Sequence, residues 1–113
     1  MAKIIKIPSA YVIDTKVVGV SHKNQDGTSR QKIITDDVNE NDLLQLHPEP
    51  DNPFDKNAVR VETHSGKQIG YLNREVAKQI HHAINNEVTI KVTTSWVGEK
   101  EIKGVGIRIE LVN

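Results

Sequence analysis

The chain contains no cysteine, which excludes disulfides, thiolate zinc sites and cysteine nucleophiles. Aromatic residues are scarce at 4%: one Trp, two Tyr and one Phe. So few rings cannot coat an extended single strand base after base. A net excess of either charge is also missing. Fifteen Lys and Arg balance fifteen Asp and Glu, so a general cationic surface for nucleic acid or membrane is excluded. The balance is local: residues 1–55 carry six basic against nine acidic side chains, and residues 56–113 carry nine against six. No run approaches the ~20 apolar residues that span a bilayer. The opening MAKIIKIPSAYV is interrupted at Lys6 and Pro8 and has no small-residue cleavage site, so a secretory leader is not expected. The expectation is a cytoplasmic protein without membrane contact. No Gly-x-x-x-x-Gly-Lys-Ser/Thr string occurs, so ATP hydrolysis cannot reside in these residues.

What is present reads as one domain over residues 1–113, with residues 1–9 an N-terminal arm or edge strand. The dominant period is two, a strand signal. Residues 10–22 form one long strand or two joined pieces, with a bend at Gly19. Lys23–Ser29 is a turn in which Asp26-Gly27 favours positive φ. Arg30–Asp42 holds a short helix through Ile33, Ile34 and Val38. Leu43–His47 is a strand, and Pro48–Asn57 a loop. In Ala58–Thr63, Ala58, Arg60 and Glu62 alternate with Val59, Val61 and Thr63, and Ser65-Gly66 turns this strand into Lys67–Leu72. Asn73–Asn85 is the long helix, capped by Asn73, with Val76, Ile80, Ala83 and Ile84 as its apolar stripe and Asn85-Asn86 as its stop. Val88–Val97 and Ile102–Val112 pair through the polar turn Gly98–Glu101. The fold class is mainly β, with one long and one short helix, in a small OB-like antiparallel barrel.

The segment Glu49–Ala58, EPDNPFDKNA, is the most unusual string. Pro50 and Pro53 stiffen it, and its Asn and Asp side chains can bond nearby amides. Two readings stand side by side. A stiff loop can hold Phe54, Asp55 and Asn57 in place for a ligand; equally, the loop can satisfy only its own backbone, with Phe54 tucked into the core.

EPDNPFDKNAVRV followed by a short turn and QIGYLNREVA resembles the signature of the HIRAN domain family. VVGVSH and Arg30-Gln31 resemble that family's first strand and its Gly-Arg-Gln element, and the likeness runs from about Val17 to Ile84. HIRAN domains are OB-like barrels, found fused to fork-remodelling helicases and as free-standing bacterial or phage-like proteins. In helicase-fused members the domain captures the 3′-hydroxyl end of single-stranded DNA. By position, the resemblance implies that Asp55 accepts a terminal hydroxyl and Phe54 replaces a base-stacking tyrosine. It implies that Asn52 shapes the pocket floor and Arg30 contacts phosphate. Tyr71 stands at a phosphate-contacting histidine, and Arg74 near a basic residue at the helix start. Gln31 takes the place of a second stacking aromatic.

Three functions follow. The first is a non-catalytic module binding nucleic acid, single-stranded DNA ahead of duplex, in repair or replication-fork processing. The second is an adaptor for a separately encoded helicase or nuclease. The third, an enzyme, lacks a nucleophile–base pair or ligand set at working spacing. No cofactor or metal is expected: His81 and His82 point about 100° apart on a helix, and His22, His47 and His64 are scattered. Asp36, Asp37, Glu40 and Asp42 lack the spacing of a calcium loop and read as a solvated acidic turn. Trp96 reads as a core or sheet-face aromatic. Lys91, Lys100, Lys103 and Arg108 read as the solvated face of the last hairpin, or the lip of a backbone-binding groove.

Overall fold

The structure, a computed structural model, describes residues 11–112; the arm expected at residues 1–9 lies outside them. Six strands and two helices follow in the order β1 (Tyr11–Lys16), α1 (Arg30–Asp37), β2 (Leu43–Pro48), β3 (Val59–Thr63), β4 (Gln68–Tyr71), α2 (Arg74–Asn85), β5 (Thr89–Val97) and β6 (Val105–Val112). The strands make one antiparallel sheet in the order β1-β6-β5-β2-β3-β4. Its two outer strands are brought together by a single bridge. Val18 donates to the Tyr71 carbonyl at 2.8 Å, and Tyr71 donates back to that of Val18 at 3.0 Å. The sheet is thereby curled into the small OB-like barrel expected.

The extended segment expected over residues 10–22 is shorter. β1 ends at Lys16, Val18 makes an isolated bridge, and Gly19, with φ +75°, opens a turn in which the His22 amide donates to the Gly19 carbonyl at 3.2 Å. Closure depends on Gly70. A Cβ there would collide with the Val18 carbonyl oxygen and lie 2.6 Å from Val17 Cγ1, so only glycine lets β4 approach so closely.

Inside the barrel, Ile34, Val59, Val61, Ile69, Ile80, Val105, Ile107 and Ile109 are almost wholly buried. Each such side chain contributes about 1.5–3 kcal/mol. The alternation of β3 is as expected, with Val59 and Val61 inward and Arg60 outward. In α2, Asn73 Oδ1 accepts from the Val76 amide at 2.9 Å, and Val76, Ile80 and Ala83 are buried. The stripe needs one correction: Ala77 is buried, whereas Ile84 is exposed. Ile84 shares the buried face by angle but sits in the last turn of α2, which ends at Asn85.

The last hairpin also differs from expectation. Its connection runs from Gly98 to Gly104, closed by Gly98 donating to the Gly104 carbonyl at 2.8 Å, and Ile102 is exposed in it. Asp36 and Asp37 belong to the last turn of α1 and pair with Lys32 and Lys67, both at 3.1 Å. No helix among the described residues is long and apolar enough to cross a membrane.

Candidate nucleic-acid interface

The loop between β2 and β3 is closed at its base by the Glu49 amide, which donates to the Ala58 carbonyl at 2.9 Å. Within it, Asn52 Oδ1 accepts from the amides of Phe54 at 2.8 Å and Asp55 at 3.1 Å. Asp55 Oδ1 accepts from the Asn57 amide at 2.9 Å. These Asx turns satisfy the backbone internally. The loop is therefore stiff, as its prolines imply, but Phe54 is not in the core. Its side chain stands 86% exposed at the tip, which removes the reading that tucks it inside.

Behind the loop lies a polar network that sequence reasoning missed. Glu49 is its centre. Its Oε1 accepts from the Tyr71 hydroxyl at 3.0 Å and from Asn52 Nδ2 at 2.9 Å, while Oε2 accepts from Arg60 Nη1 at 3.1 Å. Arg60 Nε reaches Glu62 at 2.6 Å, and Glu62 lies 3.2 Å from His47 Nε2. The alternation placing Arg60 and Glu62 on one face was the available signal. That Glu49 meets Tyr71, 22 residues away, was not readable from any period.

Arg30 follows the N-cap Ser29, whose Oγ accepts from the Lys32 amide at 3.1 Å. Only 7% exposed, it donates from Nε to Asn24 Oδ1 at 2.7 Å and from Nη1 to the Gly19 carbonyl at 2.8 Å. Its guanidinium lies 5.5 Å from the centre of the Tyr71 ring. Burial lowers its pKa from the ordinary arginine value, opposed by Tyr71 and Glu49. Arg74, the first residue of α2, is exposed and has Nε 3.9 Å from Asp55 Oδ2.

The structure therefore gathers Asn52, Tyr71 and Arg30 around Glu49, and sets Phe54, Asp55 and Arg74 on the adjoining surface. Gln31 is placed differently. Its Nε2 donates to the carbonyls of Val20 and Lys103, both at 3.0 Å, and its Oε1 accepts from the Lys103 amide at 2.8 Å. It ties α1 to the last hairpin. Among the described residues, no three His, Asp or Glu side chains converge as a metal-binding set.

Comparison with known proteins agrees with this architecture. The helicase-like transcription factor of Mus musculus is 36% identical over 67 residues, 55% of this chain but 7% of that protein; the chain thus spans a small part of such relatives. The crystal structure of the HIRAN domain of the human helicase-like transcription factor superposes with a TM-score of 0.71. It is 23% identical and covers 91% of this chain and 77% of that one. An NMR structure of that factor's HIRAN domain in its DNA-bound conformation gives a TM-score of 0.62 at 24% identity, covering 91% and 76%. The family model of the HIRAN domain matches residues 10–111. With that span of the barrel and its loop accounted for, this chain belongs to the HIRAN domain family.

Proposed function

We propose that this chain is a non-catalytic nucleic-acid-binding module that receives the end of a single strand at the loop Asn52–Asn57. The observation that carries this reading is Phe54. An aromatic ring, the chain's only Phe, is held almost fully exposed on a loop whose own hydrogen bonds keep it rigid. A stiff exposed ring loses little conformational entropy on stacking, and base–aromatic stacking contributes ~1–3 kcal/mol. An unpaired base can reach such a ring, whereas a base inside a duplex is already stacked, so the reading favours single strands. Support also comes from the family, which has a member solved in its DNA-bound conformation.

In this reading the terminal base lies on Phe54, and Asp55 Oδ2, whose neighbour Arg74 stands 3.9 Å away, accepts the terminal hydroxyl. Arg74 and Tyr71 face the adjoining phosphates. Arg30, Gln31 and Asn52 form the frame behind: Arg30 holds the Tyr71 ring, Asn52 shapes the loop, and Gln31 anchors α1. Residual anionic character from Glu49 and Asp55 disfavours a strand ending in phosphate. Strand remodelling would fall to a helicase or nuclease activity outside these residues, which contain no ATP-binding loop.

The test is fluorescence anisotropy with short single strands ending in 3′-hydroxyl or 3′-phosphate. The hydroxyl strand should bind more tightly, Phe54→Ala should weaken it roughly 5- to 100-fold, and binding should weaken as salt rises. Equal, millimolar affinity for both ends, unchanged by Phe54→Ala, would refute the reading.

A further inference from the structure

The outer face of the barrel carries a second aromatic whose placement the loop does not explain. Regular alternation along β5 would turn Trp96 inward, like Val92 and Thr94. A bulge between Thr94 and Trp96 changes the register, so that Thr94 pairs with Ile107 but Trp96 with Gly106. One extra residue thus exports the chain's single Trp to the surface, where it is 43% exposed. The indole lies over Gly106, where any Cβ would overlap it, and a Cβ at Gly104 would come within 3.4 Å of its rim. Lys16, which pairs with Gly106 from the other side, sets its ammonium 5.9 Å from the ring centre.

The register connects this platform to the loop site. Lys16 ends β1 and Val18 lies two residues beyond it, both exposed with Val17 buried between them. Val18 pairs with Tyr71, the residue bonded to Glu49. From Trp96 to Tyr71 the surface crosses three inter-strand steps of about 4.8 Å and one two-residue step of about 6.6 Å. The span is on the order of 15 Å, a few nucleotides. A groove of about 840 Å³ lies along it, lined by Lys16, Val18, Asn73, Trp96 and Arg108, with Asp14 paired to Arg108 at 2.9 Å.

We infer that Trp96 and Lys16 form a second subsite, at which a base stacks and a phosphate is neutralised a few nucleotides back from the strand end. The inference rests on the single-strand reading above and extends it from an end pocket to a track. Base stacking on one indole with a cation beside it is the chemistry that single-strand binders use. The exposed Lys16–ring contact is weak enough to be exchanged for a base and a phosphate.

Because Trp96 is the only Trp, intrinsic emission reports on this subsite while the anisotropy of a 5′-labelled strand reports binding anywhere. An eight-nucleotide strand should raise anisotropy and quench Trp emission together; a dinucleotide should leave the emission unmoved. Trp96→Leu, which keeps an apolar cover over Gly106, should weaken the longer strand roughly 5- to 100-fold and leave the dinucleotide alone. If that variant fails to fold, quenching in the unaltered chain still decides. Anisotropy that rises with steady emission overturns the subsite and spares the loop reading. No rise in anisotropy overturns both.

Discussion

The network behind the loop makes Glu49 the most informative position for mutation. Glu49→Ala removes the acceptor of the Tyr71 hydroxyl and of Asn52 Nδ2, and one partner of Arg60. Each of the first two bonds contributes about 1 kcal/mol net. The Arg60 pair is a third exposed on the arginine side, so its share is discounted to about 0.5 kcal/mol. The expected destabilisation is therefore about 2–3 kcal/mol, or roughly 10 °C in melting temperature for a chain of this size. Tyr71→Phe alone should lose about 1 kcal/mol. In the double variant the losses should not add, because the Tyr71 hydroxyl has already lost its acceptor. The coupling energy is expected to be about 1 kcal/mol. Urea unfolding followed by far-UV circular dichroism, run as a double-mutant cycle, measures it. Losses that add to within about 0.3 kcal/mol would show that the Tyr71–Glu49 bond contributes nothing, and that Glu49 is not the hub described.

Other perturbations separate framework from ligand face. Gly70→Ala forces a Cβ into the Val18 carbonyl and should destabilise by about 3 kcal/mol; a neutral effect in thermal unfolding would refute the account of barrel closure. Gln31→Ala removes three hydrogen bonds and should lose about 2 kcal/mol, with faster hydrogen exchange in the Gly98–Gly104 turn. Loss of strand affinity at unchanged stability would instead make Gln31 a ligand contact. The side-chain and backbone hydrogen bonds from Thr28 hold the Asp26 carboxyl below its ordinary 3.8. A carboxyl depressed in the folded state stabilises above its unfolded pKa, and that stabilisation is lost as pH falls through the folded midpoint. An NMR titration should therefore place Asp26 below 3.8, with Thr28→Ala moving it upward; a midpoint at or above 3.8 in the unaltered chain would contradict this.

Much of the barrel was legible because it depends on local periods. The β3–β4 hairpin follows from Val59 and Val61 alternating with Arg60 and Glu62 ahead of Ser65-Gly66, and α2 from its Asn73 cap and apolar stripe. The features that escaped depend on long-range register. Nothing near Trp96 announces the bulge that turns it outward, since unbroken alternation would bury it. Barrel closure at Val18 and Tyr71 joins residues more than fifty positions apart. The loop was readable as stiff from Pro50, Pro53 and its Asx residues, but whether Phe54 faced core or solvent depended on how β2 and β3 present the loop. Gln31 sat correctly beside Arg30 in sequence, yet its amide is committed to Val20 and Lys103, a contact visible only once the last hairpin is placed.

The central claim, that the surface of Asn52–Asn57 with Tyr71 and Arg74 receives a strand end, is tested most directly by NMR. Amide chemical shifts of the isotopically labelled chain would be followed while a short single strand with a free 3′-hydroxyl is added. The account predicts that the perturbations centre on Asn52–Asn57, Tyr71 and Arg74, and that the same strand carrying a 3′-phosphate moves them far less. Shifts confined to other surfaces, or none at saturating strand, would contradict it.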